Sequence, residues 1–193
     1  GRGVINWQGR VRKIYDYQLM YFVRGKGTYF LGDEEYTITP GCIILIKPNT
    51  PHTLKFEGHH EYLWVHFDFF YREDAKMMTD YLIKDIRYNN MGELFKDTLP
   101  HTEWIREQPD FDESFLFPDY IVLKEHEFIE SLFRKLLYEH SHKNIAYEIK
   151  CKAILLNIFA EIIQQLFEDK NIKTNYSNFK IFYKMINYIE KNY

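Results

Sequence analysis

His52 follows a run of apolar residues that ends in a turn with two prolines, within the segment PGCIILIKPNTPH of residues 40–52. An imidazole can bind a metal ion, form a hydrogen bond with a ligand, or cap the backbone groups of a turn. A metal site takes at least three protein ligands, so His52 cannot form one by itself. The local pattern leaves two interpretations of this histidine open, a ligand contact and a turn cap.

A second group of candidate residues lies in the segment YLWVHF, residues 62–67. Side chains alternate between the two faces of a strand, so Tyr62, Trp64 and His66 are predicted to share one face. The opposite face carries the apolar residues Leu63, Val65 and Phe67. The three polar and aromatic side chains either line a ligand site or belong to ordinary sheet packing.

Short apolar segments at intervals of roughly ten residues position these candidates, a spacing typical of a β-sandwich or barrel. The predicted strands are Tyr17–Arg24, Thr28–Leu31, Glu35–Thr39, Cys42–Ile46, Thr53–Phe56 and Tyr62–Phe69. Turns are predicted between Gly25 and Gly27, at Gly32-Asp33 and at Pro40-Gly41. Farther on, we expect a short helix near Asp74–Lys84 and one more strand within Phe115–Val122.

The period becomes helical after Lys124, where apolar residues recur four apart to about Glu139. A longer helix is predicted to run to about Phe167, with Asn144 as its N-cap. Its apolar surface is wider than one sheet face needs, so we expect it to be buried on two sides. Large apolar surfaces often form interfaces, which predicts a homodimer. The predicted dimer face is Leu155, Phe159, Ile162 and Leu166.

Composition excludes several classes of function. The formal net charge is −3, whereas a domain whose main task is nucleic-acid binding is usually basic. Cys42 and Cys151 are isolated, which indicates a reducing cytoplasm, and no apolar run approaches the roughly 20 residues of a membrane span. The chain starts at Gly1 and stops at Tyr193 inside a helical pattern, so we expect it to be a piece of a longer protein.

The order and spacing of several motifs resemble the effector-binding domain of AraC-family transcription regulators. The matching residues are Arg24-Gly25-Lys26-Gly27, Pro40-Gly41, Pro48, Pro51-His52 and the strand Tyr62–Phe67. The resemblance implies an α+β fold, with a cupin-like β-barrel (a double-stranded β-helix, or jelly roll) followed by an antiparallel helical pair. Expected divisions are a ligand-binding barrel over 1–122, a helical dimerisation segment over 123–170, and a linker with the start of a DNA-binding module's first helix over 171–193.

The resemblance also bears on metal binding. Enzymatic cupins hold a metal with two histidines and a carboxylate on one strand and a third histidine on a later one. These positions fall among Val11–Ile14, on Gln18 and on His52, and only His52 is a good ligand. We therefore expect no metal and no cofactor. The alternative is a metal-dependent cupin enzyme such as a sugar isomerase or dioxygenase, which elemental analysis of the purified protein would reveal.

The function that the resemblance implies is sensing. A cytoplasmic homodimer would bind a small molecule, such as a sugar or related metabolite, and would contact DNA only through a module beyond this chain. In the arabinose-binding member of the family, a tryptophan matching Trp64 stacks on the sugar, and an arginine aligns near Arg10 or Arg12. A tyrosine of that pocket is replaced by Leu54 here. The expected ligand-binding residues are Arg10, Arg12, His52, Tyr62, Trp64 and His66.

Overall fold

The computed structural model describes residues 2–3, 6–89, 92–107 and 117–169. The strands are β1 (Arg2–Gly3), β2 (Trp7–Gln8), β3 (Tyr17–Leu31), β4 (Glu34–Ile38), β5 (Cys42–Ile46), β6 (His52–Phe67) and β7 (Tyr120–Val122). The helices are α1 (Ala75–Asn89), α2 (Glu127–His142) and α3 (Tyr147–Asp169), with 3₁₀ turns at Gly92–Phe95 and Thr102–Trp104. None of the helices in these ranges is both long and apolar enough to cross a lipid bilayer.

The strands form one antiparallel sheet in the order β1-β6-β3-β5-β7, with β2 added to β6 and β4 added to β3. Its centre is the pairing of the two long strands β3 and β6, which runs from Tyr17 opposite Phe67 to Leu31 opposite His52. Strands of this length twist strongly, so the sheet curls into a half-barrel. The fold is α+β, a cupin-like curled antiparallel sheet followed by a pair of packed helices.

The two faces of the sheet have different partners. One face, with Leu19, Tyr21 and Ile43 among its buried residues, packs against α2 and α3. The other face curls over itself around Phe22, Tyr29 and their neighbours. Alternation along β6 follows the prediction, since Tyr62 joins the second cluster, whereas Leu63, Val65 and Phe67 join the first. A change at one face can therefore reach the other through adjacent residues of the same strand.

The strand prediction is confirmed at Cys42–Ile46, but the predicted turn between Gly25 and Gly27 is wrong. Both glycines lie inside the continuous strand β3. Gly25 has φ +108° and lies within a register shift against β6, between the paired residues Arg24 and Lys26. The conformational freedom of this glycine therefore serves an irregularity inside a strand instead of a hairpin. Similarly, the predicted strands Thr53–Phe56 and Tyr62–Phe69 belong to the single strand β6, which ends at Phe67.

The three helices predicted within the described residues are confirmed in position, with shifted ends. Helix α1 extends beyond the predicted Asp74–Lys84, and α3 begins at Tyr147, after Ala146 with φ +63°. Asn144 is therefore too far upstream to be the N-cap of α3. Strand β7 covers the end of the predicted Phe115–Val122 segment, of which residues 115 and 116 lie outside the described ranges. The predicted linker over 171–193 also lies outside them.

The predicted dimer face on α3 needs a correction. Phe159 and Ile162 are buried in the cluster between α3 and the sheet, and Leu155 and Leu166 pack against the same cluster. Phe159 and Ile162 therefore already serve the core of one chain, and the four residues together do not form a free face for a second copy. The helix does have a second apolar side, because Ile149 is 71% exposed and lies on the opposite stripe.

We predict that Gly27→Ala destabilises the fold more than Gly58→Ala. A Cβ at Gly27 would overlap the carbonyl oxygen of Lys55 on the paired strand, and neither backbone can move away without breaking the ladder. We expect a loss of about 3 kcal/mol or more. Gly58 has φ +69° but open space around its Cβ position, so only the conformational cost of about 1 kcal/mol applies. Urea unfolding measures both, and equal losses would show that β3 and β6 are not tightly paired at Gly27.

Candidate functional site

Arg12 and His52 form the centre of a polar group on the concave face of the sheet. Their backbones bridge each other, with both N–H···O distances at 2.9 Å. The Arg12 Nε–H also donates to His52 Nε2 at 3.0 Å. His52 is buried, whereas Arg12 is half-buried. Strand pairing thus fixes the backbone positions from which the two side chains meet.

Hydrogen bonding determines the tautomer of His52. Its Nδ1 lies 2.9 Å from the carbonyl oxygen of Thr50, a group that can only accept, so Nδ1 carries the proton. The Nε2 atom is then free to accept from Arg12. Burial, followed by the nearby Arg12 charge, lowers the pKa of His52 to about 3. The imidazole is therefore neutral at physiological pH and acts as an acceptor for the guanidinium.

Gln18 extends this group along β3. Its Oε1 accepts from Arg12 Nη2 at 3.2 Å, and its Nε2 lies 3.1 Å from His66 Nε2. His66 Nδ1 lies 2.9 Å from the carboxylate of Asp16. With Oε1 facing the guanidinium, the Gln18 amide donates to His66 Nε2, so His66 donates through Nδ1 to Asp16. The result is a continuous chain of hydrogen bonds from His52 to Asp16.

Two tyrosines border the guanidinium. The Tyr29 ring lies parallel to the His52 ring, with centroids 6.3 Å apart, and its buried hydroxyl has no hydrogen-bond partner in the described part of the chain. Burial raises the pKa of Tyr29 far above its usual value, and the Arg12 charge offsets part of that rise. Burial also raises the pKa of Tyr62, and the Arg12 charge lowers it by a smaller amount. Both phenols remain protonated and able to donate.

An open groove of about 980 Å³ lies over the outer part of β6. Tyr62, Trp64 and His66 line it together with apolar residues of α2 and α3, such as Leu136 and Leu155. Trp64 is 48% exposed there and contacts the Tyr62 ring at a centroid distance of 5.5 Å. Arg12 does not line this groove, but the Gln18–His66 hydrogen bond connects the groove with the Arg12 group.

The structure brings together some of the expected binding residues and separates others. Arg12, His52 and His66 belong to one hydrogen-bonded group, with Tyr62 close to Arg12 and Trp64 beyond it in the groove. Arg10 lies apart, with its guanidinium carbon 4.1 Å from the centre of the Phe95 ring. The two alternative arginines therefore have different surroundings, and only Arg12 reaches the concave face.

Sequence reasoning missed Asp16 and Tyr29 and considered Gln18 only as a poor metal ligand. Gln18 could have been predicted as part of a polar group, because an amide inside the apolar run of β3 needs a buried polar partner. Tyr29 could not, since tyrosine is common in strands and its burial depends on how the sheet curls.

A comparison with protein-family models matches residues 9–76 to the AraC-like ligand binding domain. This segment is an AraC-like ligand-binding domain. The matched range contains β3 to β6 together with Arg12, Gln18, Tyr29, His52 and His66, so the whole hydrogen-bonded group lies within it. No curated protein sequence matches the chain.

Solved structures with a similar fold include cupins. A cupin superfamily protein from Desulfitobacterium hafniense DCB-2 is 10% identical, with a TM-score of 0.33 over 35% of this chain and 62% of that one. Oxalate decarboxylase from Bacillus subtilis is 18% identical, with a TM-score of 0.35 over 65% of this chain and 39% of that one. The chain thus spans less than two thirds of each of these proteins. At TM-scores this low, their substrates say nothing about the ligand of the AraC-like domain.

The metal site of enzymatic cupins does not fit the residues of this AraC-like domain. Of the positions that the resemblance assigns to metal ligands, Arg12, Gln18 and His52 come together, but the guanidinium occupies the free nitrogen of His52. A cation there would lose its imidazole ligand and would meet a fixed positive charge. Within the described ranges, no group of three His, Cys, Asp or Glu side chains could hold a metal ion.

We predict that His52→Gln flattens the acid dependence of the stability of this chain. The unfolded chain protonates His52 near pH 6.5 and the folded chain near pH 3, so the unfolded state binds more protons between these values. Stability contributed by neutral His52 is therefore present above about pH 6.5 and is lost as the pH falls toward 3.

The glutamine introduced by this substitution can still accept a hydrogen bond from Arg12 but cannot titrate. Urea unfolding between about pH 6 and pH 4.5 should show a wild-type slope steeper by up to about 1.4 kcal/mol per pH unit than that of the variant. The control is His59→Gln, which removes an exposed histidine of the same strand. If His52→Gln and wild type have the same slope, His52 is not held neutral by burial and Arg12.

Proposed function

We propose that this chain is the sensing domain of a transcription regulator, which binds a small molecule on the concave face of its sheet. The observation that carries the proposal is the hydrogen-bonded group around Arg12, which lies within the AraC-like segment and keeps donors unused. Buried polar groups are normally satisfied by protein partners. A domain that leaves three of the five N–H groups of Arg12 and the Tyr29 hydroxyl without partners in the described residues is suited to a ligand.

The class of ligand that we propose is a sugar or a related metabolite. Trp64 and Tyr62 offer exposed or partly exposed ring faces in the groove, and such faces pack well against the C–H side of a sugar ring. Arg12 supplies directed donors for oxygen atoms. The domain would act in the cytoplasm, without chemistry of its own, on a DNA-binding module that follows this chain.

The proposed signal passes from the sheet to helix α2. The hydroxyl of Tyr21, on the helix-facing side of β3, lies 3.0 Å from His126 Nδ1 and 3.4 Å from Glu130 Oε2. Arg134 of α2 donates from Nε to Glu130 Oε1 at 2.7 Å. It also donates from Nη2 to Oε1 of the buried Glu61 of β6 at 3.3 Å. A movement of β3 against β6 that is caused by a ligand would therefore shift the contacts that hold α2 on the sheet.

We further propose that two copies pair through the outer stripe of α3. The stripe consists of Ile149, Ala153, Leu156 and Ala160, spaced four, three and four residues apart, so that all four lie on one side of the helix. This side faces away from the buried Phe159 and Ile162. Two-fold pairing is the commonest arrangement of homo-oligomers, and it would set two DNA-binding modules at a fixed spacing.

For the dimer, we predict that Ile149→Glu combined with Leu156→Glu gives a folded monomer, because like charges would meet across the seam. Wild type and a Phe128→Glu control, which changes an exposed residue of α2 away from the stripe, should sediment as dimers at micromolar concentrations. A wild-type monomer would contradict the proposed dimer. A double variant that stays dimeric would show that another surface forms the interface.

For sensing, we predict that at least one compound in a panel of sugars, sugar acids and related metabolites raises the melting temperature of the chain, since a ligand of the folded state stabilises it by mass action. The same compound should change repression by a fusion of this chain to a DNA-binding domain that represses only as a dimer. An inactive panel, or binding without any change in repression, would contradict a sensing role.

A further inference from the structure

The charge of Arg12 has no counter-charge in the described part of the chain. Its side-chain partners there are His52 and Gln18, and both are neutral. Arg106, a buried arginine, is different, because it pairs with Asp68 at 2.7 Å and with Asp74 at 3.3 Å. A half-buried cation with only neutral partners is poorly compensated.

The nearest chain of hydrogen bonds also keeps negative charge at a distance from Arg12. Asp16 is the carboxylate that the group contains, but its Oδ1 bonds His66 Nδ1 at 2.9 Å. Gln18 and His66 both lie between Asp16 and the guanidinium. The described residues therefore position the arginine with two neutral acceptors and provide no carboxylate that pairs with its charge.

The unused donors of Arg12 have a defined geometry. A guanidinium has five N–H groups. His52 takes the one on Nε, and Gln18 takes one on Nη2. Two N–H groups on Nη1 and one on Nη2, the outer fork, have no partner among the described residues. Neighbouring N–H groups of a guanidinium match the two oxygens of a carboxylate.

Tyr29 supplies a second, independent observation. Its hydroxyl is fully buried and lacks a protein partner in the described residues, although its ring is fixed against His52. An unpaired buried hydroxyl costs about 1–3 kcal/mol, so a partner from outside the chain would be favoured. Burial raises the pKa of Tyr29, so this group can donate to a ligand oxygen at any physiological pH.

From these contacts we infer that the ligand carries a carboxylate group, which binds bidentately to the outer fork of Arg12 and accepts from Tyr29. This inference rests on the proposed sensing function and narrows its ligand class from neutral sugars to carboxylic acids, sugar acids included. A neutral hydroxyl could accept from the same donors but would leave the Arg12 charge unbalanced. Charge-assisted hydrogen bonds are roughly twice as strong as neutral ones, so the acid should bind better than its neutral counterpart.

The test uses the 193-residue chain, labelled with ¹⁵N, and follows the Nε–H signal of Arg12 during titration. The probes are acetate, benzoate and glucuronate, each compared with its neutral counterpart ethanol, benzyl alcohol or glucose. Ionic strength is held constant with chloride. We expect at least one carboxylate to shift the signal to saturation, with an affinity at least about tenfold higher than that of its neutral counterpart.

Three variants assign the effect to the site. Arg12→Gln should weaken carboxylate binding at least about tenfold, whereas Arg10→Gln, which removes the exposed arginine over Phe95, should leave it unchanged. Tyr29→Phe should weaken binding several-fold while leaving the free protein as stable as wild type or more so, because it removes a hydroxyl without a protein partner in the described residues. If Arg12→Gln does not fold, the Tyr29→Phe comparison decides alone.

The inference is overturned if none of the three carboxylates gives a saturable shift, if a neutral counterpart binds as tightly as its acid, or if inorganic phosphate binds better than all three. A neutral sugar that depends on Arg12 would overturn the carboxylate class but leave the sensing function standing. Carboxylate binding without any change in the repression assay would overturn the sensing function but leave the carboxylate class standing.

Discussion

The hydrogen bond from Arg12 to the neutral His52 determines what the concave face of the sheet can do. The guanidinium covers the free nitrogen of the imidazole, so that nitrogen is lost as a ligand for a cation. Burial and the arginine charge keep His52 neutral, and the neutral tautomer in turn provides the acceptor that holds Arg12. The orientation of Gln18, and through it that of His66, follows from the same contact. The position that binds a metal in enzymatic cupins is therefore occupied here by the guanidinium of Arg12, which His52 and Gln18 hold in place.

The long pairing of β3 with β6 makes this arrangement possible and connects it with the rest of the molecule. Gln18 of β3 and His66 of β6 meet Arg12 on one face, while the alternate residues of both strands pack on α2 and α3. Continuity of the two strands requires Gly25 to adopt a positive φ and Gly27 to lie against the backbone of β6. Successive residues of each strand point to opposite faces of the sheet. A small shift of a strand on the concave face therefore also moves the residues that contact the helices.

Periodicity in the sequence predicted most of the architecture. The aliphatic run of β5, the alternation over residues 62–67 and the two apolar helices all follow from local patterns, which burial on one or two faces imposes. Gly25 and Gly27 were misinterpreted because glycine serves both turns and bulges, and only strand pairing distinguishes the two uses. The inner side of α3 was assigned to a dimer for a similar reason. A wide apolar surface shows that two sides are covered, but not which side faces the sheet.

The polar group was harder to predict, because its members are far apart in the sequence and only the strand register brings them together. Family resemblance placed Arg12, Gln18 and His52 at related positions but could not show that they bond one another. The central claim is that His52 is a neutral acceptor for Arg12, and long-range ¹H–¹⁵N NMR of the histidine rings tests it directly. We predict that His52 carries its proton on Nδ1, with Nε2 unprotonated, at pH 7 and still at about pH 5, given its lowered pKa. A protonated Nε2 in the folded chain at pH 7 would contradict the account, because the imidazole could then not accept from Arg12.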